Sequence, residues 1–137
     1  MIRRLLPLAL LVAVLGGCTY YPGVVDTGSP RLEPKYGRLV RTEGGAVCYF
    51  RLESTGKYGD LLVAAESRAA RRVQIVTPDG APVTSVDIPG ETSFEFRPDG
   101  LSIALSDLTQ PLTPGDGVIV TLVFAKSGRI GVVSKVE

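Results

Sequence analysis

Two cysteines, a scatter of carboxylates and one arginine-rich stretch are the residues of this chain whose chemistry could set a function. Cys18 follows Leu15-Gly16-Gly17, and small residues before a cysteine suit a signal peptidase that leaves the thiol free for acylation. Cys48 lies in the run Ala46-Val47-Cys48-Tyr49-Phe50, where a thiol serves as a small hydrophobe unless something lowers its pKa. Asp79, Asp99 and Asp116 sit beside Gly and Pro, where Asp bonds the backbone of turns, and none belongs to a D-x-D-x-D-G calcium loop. Ser134 and Lys135 are neighbours and would point to opposite faces of a strand, so they do not pair as nucleophile and base. The chain has no histidine, and its only methionine is Met1. Imidazole-based triads and acid–base pairs are thereby excluded, as is any thioether or imidazole ligand in the mature chain for a soft metal ion. No enzyme is expected.

The elements that must position these residues begin with an N-terminal leader. Arg3 and Arg4 precede the apolar run Leu5 to Leu15, broken only by Pro7, which is too short to span a bilayer comfortably. Residues 1–18 are expected to be a bacterial lipoprotein signal ending at a lipidated Cys18, which would hold the protein on the outer face of a membrane in the cell envelope. The full chain carries 15 Lys+Arg against 14 Asp+Glu, and loss of Arg3 and Arg4 leaves 13 against 14. That balance draws the protein to no nucleic acid, and Arg68, Arg71 and Arg72 read as a solvated turn. Residues 19–35, with Pro22, Pro30 and Pro34 among them, read as a flexible tether. Residues 36–137 are then one domain, long enough for a modest core without a disulfide.

Short β-prone runs separated by turn residues fill that domain. Strands are expected near residues 46–53, 61–66, 72–76, 92–96, 101–105, 117–124 and 129–135. Turns are marked by Pro78-Asp79-Gly80, Pro89-Gly90, Pro98-Asp99-Gly100, Pro114-Gly115-Asp116-Gly117 and Ser127-Gly128. The pattern predicts an all-β Greek-key sandwich or barrel of about seven to eight strands. Strand parity puts Cys48 on one face with Ala46, Phe50 and Leu52, which predicts a buried thiol. Val118, Val120, Leu122 and Phe124 share one face of a late strand whose other face is also largely apolar, so that strand is expected to be central.

Several segments in order resemble a known family. Asp60-Leu61-Leu62-Val63-Ala64-Ala65-Glu66-Ser67 is similar to a "D-x-L-V-x-A-x-S" segment, and Ala69-Ala70-Arg71-Arg72-Val73-Gln74-Ile75 to "A-A-x-x-V-E-L". Val86-Asp87-Ile88-Pro89-Gly90 resembles "I-x-I-P-A-G" with one residue missing. Gly100 to Leu108 and Gln110 to Asp116 resemble "G-x-H-L-M-L-x-x-L" followed by "P-L-x-x-G-D". The family is that of the PCu(A)C-type periplasmic copper chaperones, and the resemblance implies a cupredoxin-like β domain.

The resemblance also places the family's metal ligands, and here the residues depart from it. The His-x-Met pair falls on Ser102 and Ala104, the histidine after "V-E-L" falls on Val76, and the methionine-bearing loop is shortened to Thr77–Thr84. A hydroxyl, a methyl and an isopropyl group do not hold copper(I). The expectation is therefore a degenerate metal site with no cofactor, on a membrane-anchored lipoprotein that binds an envelope protein without catalysis. The alternative is a copper chaperone delivering copper(I) through non-standard or partner-supplied ligands; a small-ligand binder using the barrel mouth is a third reading.

Overall fold

The computed structural model describes residues 30–137. The leader and Cys18 lie outside the described residues, as does the tether as far as residue 29. Ten strands follow: β1 (Leu32–Thr42), β2 (Gly45–Ser54), β3 (Asp60–Glu66), β4 (Ala70–Val76), β5 (Pro82–Val83), β6 (Val86–Ile88), β7 (Thr92–Phe96), β8 (Ser102–Leu108), β9 (Gly117–Phe124) and β10 (Gly128–Val136). They form one sheet in the order β5-β4-β8-β2-β1-β10-β9-β3-β6, with β7 also on β2. The sheet curls into a nearly closed barrel of cupredoxin-like type, with ten strands where seven to eight were expected.

Alternation builds the core. Along β2, Ala46, Cys48, Phe50, Leu52 and Ser54 are buried while Val47, Tyr49, Arg51 and Glu53 are half-exposed, as parity requires. Val118, Val120, Leu122 and Phe124 of β9 meet them from across the barrel with Val132 and Val136 of β10. Phe50 stacks on Phe96 with ring centroids 4.4 Å apart, and Phe94 lies tilted against Phe96. β9 is central, paired to β10 on one side and to β3 on the other.

The strands absent from the sequence reading are β1, β5 and β6. β5 and β6 are two and three residues long, too short to show a period. β1 was masked by Pro34, Gly37 and four charged side chains. Its first residues, 32–35, expected in the tether, pair with β2 from Leu32↔Ser54 to Lys35↔Arg51. Pro34 is tolerated there because only the later part of β1, Gly37 to Leu39, pairs with β10, leaving that side of residues 32–35 as an edge. The switch comes at a bulge between Lys35 and Arg38, where Tyr36 adopts φ +58°. Gly37 is required beside it, since a Cβ would lie 2.5 Å from the Val133 carbonyl oxygen. The first and last strands thus run parallel in register Gly37↔Ser134 to Leu39↔Val136, and Glu137 N–H donates to Leu39 O at 2.9 Å.

Candidate functional site

The positions to which the sequence assigns the degenerate metal site are gathered on β4 and β8. β8 lies between β4 and β2, with Ile103 and Leu105 pointing into the core. Ser102 and Ala104 therefore share the opposite face. Val76 is the direct cross-strand partner of Ser102, and Gln74 is that of Ala104. Directly opposite residues on one face have Cβ atoms about 4.5–5.5 Å apart, close enough for two side chains to share one ligand. Both Val76 and Ser102 are buried although they face away from the main core, and β5 covers that end of β4 through Val76↔Pro82. The loop after β4 closes on itself: Thr77 N–H donates to Ala81 O and Gly80 N–H to Thr77 O, each at 2.9 Å. The structure thus assembles the three positions and gives them a hydroxyl, a methyl and an isopropyl group.

Cys48 cannot supplement them. Its neighbour Val47 pairs with Ala104, whereas Cys48 pairs with Ile103 and points with it into the core. Cys48 is fully buried, its Sγ 3.2 Å from Ser134 Oγ. Burial pushes the thiol up to about 11, against which the Ser134 hydrogen bond acts only weakly. Among the described residues no group of three or more His, Cys, Asp or Glu converges.

The remaining polar candidates resolve into structural roles. Arg71 faces Asp107 at 3.9 Å, with both side chains largely exposed, while Arg68 and Arg72 make no ion pair among the described residues. Asp99 pairs with Arg97 at 3.0 Å within its own turn. Ser134 is buried and Lys135 exposed, on opposite faces as expected.

The most organised polar group was not singled out from the sequence. Asp60, at the start of β3, is buried and accepts four hydrogen bonds: Leu61 N–H (2.7 Å) and Lys126 N–H (3.0 Å) on Oδ1, Ser127 N–H (2.7 Å) and Ser127 Oγ–H (2.6 Å) on Oδ2. Burial alone would raise its pKa, but the Ser127 hydroxyl and three backbone N–H donors outweigh it and hold the carboxyl below the usual carboxylate range. Asp60 therefore fastens the β9–β10 turn to β3, a contact across 66 and 67 residues that no local motif reports.

Because its folded pKa lies below the unfolded value of about 3.9, its stabilising contribution is complete above that value and is lost as pH falls through the folded pKa. Asp60→Ala should cost about 3 kcal/mol by urea unfolding at pH 7, since four donors lose a charged acceptor. The deficit should shrink towards pH 2; an equal deficit at both pH values would assign the effect to packing.

The family model described as "LpqE-like: Putative lipoprotein LpqE-like" matches residues 31–136. Among solved structures, the apo PCuAC domain from PmoF1 is 25% identical with a TM-score of 0.70, covering 77% of this chain and 92% of its own. The copper-bound PCuAC domain from PmoF2 is 23% identical with a TM-score of 0.69 over the same shares. The solution structure of CuI-DR1885 from Deinococcus radiodurans is 20% identical with a TM-score of 0.64, covering 92% of this chain and 85% of its own. A search of curated proteins gives no match.

Proposed function

Since this chain belongs to the LpqE-like family and folds as a PCuAC-type copper-chaperone domain, we propose that it is a lipid-anchored cell-envelope protein whose domain binds a protein partner without catalysis and without a copper(I) site of its own. The single observation that carries this reading is the set of residues on β4 and β8. Val76 and Ser102 stand as cross-strand partners with Ala104 two residues along, and none of the three offers sulfur or imidazole. The buried Cys48 lies on the other face of the sheet, and the chain contains no histidine. A scaffold with no donor at that place is suited to contact rather than to metal transfer.

The anchoring half of the reading rests on Leu15-Gly16-Gly17-Cys18 and on the family's lipoprotein description. In this reading residues 1–18 are the signal, Cys18 is acylated, and the residues up to β1 tether the barrel to the outer face of the membrane. Several acyl chains, at about 0.8 kcal/mol per buried CH₂, give a stable anchor. Wild-type protein should take up palmitate label and sediment with membranes, and Cys18→Ser should lose the label. An unlabelled wild-type chain would remove the anchor.

Titration of the purified protein with copper(I) against a competing chelator tests the domain half. The expected result is binding no tighter than that of a generic protein surface. Tight, stoichiometric binding would replace this reading with copper delivery through ligands of another kind.

A further inference from the structure

The barrel is open along one stretch of β9. β10 pairs with β9 over its whole length, from Gly128↔Phe124 to Lys135↔Gly117. β3 pairs only with the second half, from Leu62↔Phe124 to Glu66↔Thr121, because the chain turns away at Ser67 towards β4. The other edge of Gly117–Val120 consequently meets no strand among the described residues. Ser67 Oγ donates to Ile119 O at 3.0 Å from this side, so the backbone groups of Ile119 point towards the opening, and alternation turns those of Gly117 the same way. Edge strands are normally blunted by Lys, Pro, a bulge or extreme shortness. The segment Gly117-Val118-Ile119-Val120 has none of these, and Ile119 is 59% exposed.

Beside this edge lies a cleft of about 530 Å³, lined by Ser67, Arg68, Ala69, Gln110, Gly117 and Ile119 among others. Its far wall is fixed in place: Thr109 Oγ1–H donates to Arg68 O at 2.6 Å, Thr109 N–H to Ala69 O at 2.9 Å, and Ala69 N–H to Ser67 Oγ at 3.2 Å. Arg68 is exposed at the rim and makes no ion pair among the described residues, whereas nearby Arg129 is paired with Glu66. An unpaired guanidinium next to the Ile119 N–H and the backbone groups of Gly117, with the Ile119 carbonyl held only by the Ser67 hydroxyl, matches an extended chain that carries a carboxylate.

We propose that the open edge of β9 at Gly117–Val120 takes an extended segment of the partner polypeptide as an added strand, with a carboxylate of that segment paired to Arg68. Four strand residues extend about 13 Å at roughly 3.3 Å each. Backbone hydrogen bonds set the register, and Ile119 packs against alternate side chains of the incoming segment. The proposal rests on the binding-protein reading above and adds the place and the kind of ligand.

The test uses fluorescein-labelled Val-Thr-Val-Thr-Val with a free C-terminal carboxylate, its C-terminal amide, and a form N-methylated at alternate residues. Binding to the full chain in detergent is read by fluorescence anisotropy, and its place by amide hydrogen exchange. The free acid should bind saturably and protect residues 117–120. Amidation or Arg68→Ala should each weaken binding by about tenfold, since each removes one charge-assisted pair. N-methylation should abolish it. Ile119→Pro should also abolish binding while keeping the β9–β10 ladder, because the lost N–H faces the opening. No binding, equal binding of acid and amide, or protection elsewhere would overturn the proposal. If peptide binding fails and copper(I) is not bound, this site falls and the binding-protein reading stands; tight copper(I) binding removes that reading itself.

Discussion

Replacing Cys48 with aspartate should leave most of the protein unfolded at neutral pH. Cys48 is fully buried, opposite Leu39 and Ile103 in the neighbouring strands, and the polar side-chain atom hydrogen-bonded to it is Ser134 Oγ at 3.2 Å. A carboxylate there would keep at most one hydroxyl partner and no cation, and the effective penalty for such a buried ion is several kcal/mol. A domain of this size has only about 5–15 kcal/mol of stability in all. Cys48→Ala should cost about 1–2 kcal/mol, from a small cavity and from the loss of the Ser134 contact. Urea unfolding followed by circular dichroism separates the two variants. The aspartate variant should regain structure as pH falls from the raised pKa of the buried carboxyl, with the recovery complete near about 4, where the carboxyl of the unfolded chain also takes up its proton. In the wild type the raised thiol pKa predicts the reverse limb: the unfolded thiol ionises first, so stability declines as pH rises from the free-thiol range towards about 11. Folded wild type should react with a thiol reagent only as fast as it opens. Rapid labelling of folded protein, or a stable Cys48→Asp variant, would place the thiol outside the core.

Ser102→His combined with Ala104→Met should raise affinity for copper(I) by on the order of a hundredfold over the wild type, because two soft donors then stand on one strand face. Adding Val76→His should raise it further, since residue 76 is the cross-strand partner of residue 102 and brings a third donor to the same place. Val76 and Ser102 are both buried, so the larger side chains must displace packing at this end of β4 and β8, and the gain will fall short of a fully evolved site. Competition against a copper(I) chelator measures the affinity, and urea unfolding with and without metal reports whether the bound ion stabilises the fold. If the triple variant bound copper(I) no better than wild type, the β4–β8 rung would not be the place where this scaffold can hold a metal.

The legible part of the site was the part set by residue type. That Val76, Ser102 and Ala104 carry no soft donor is a fact of composition at positions the family pattern marks. That Ser102 and Ala104 share a face follows from a spacing of two. That Val76 stands directly beside Ser102 depends on the register between two strands joined by a 25-residue connection, which no local pattern encodes. Asp60 illustrates the same limit, because its donors at Lys126 and Ser127 come from the far side of the chain.

By itself the sequence determined that this domain is built of strands, where seven of them run, which face of β2 is buried and that the described barrel carries one thiol and no imidazole. These follow from alternation, turn chemistry and composition, which involve only residues close together in the chain. Tertiary structure alone decided that residues 32–35 belong to the barrel, that β1 and β10 run parallel, and that the first half of β9 pairs with β10 but not with β3. Each of these depends on which distant segments meet and in what register. That choice is made by burying the apolar faces of all the strands at once, against the cost of closing long loops.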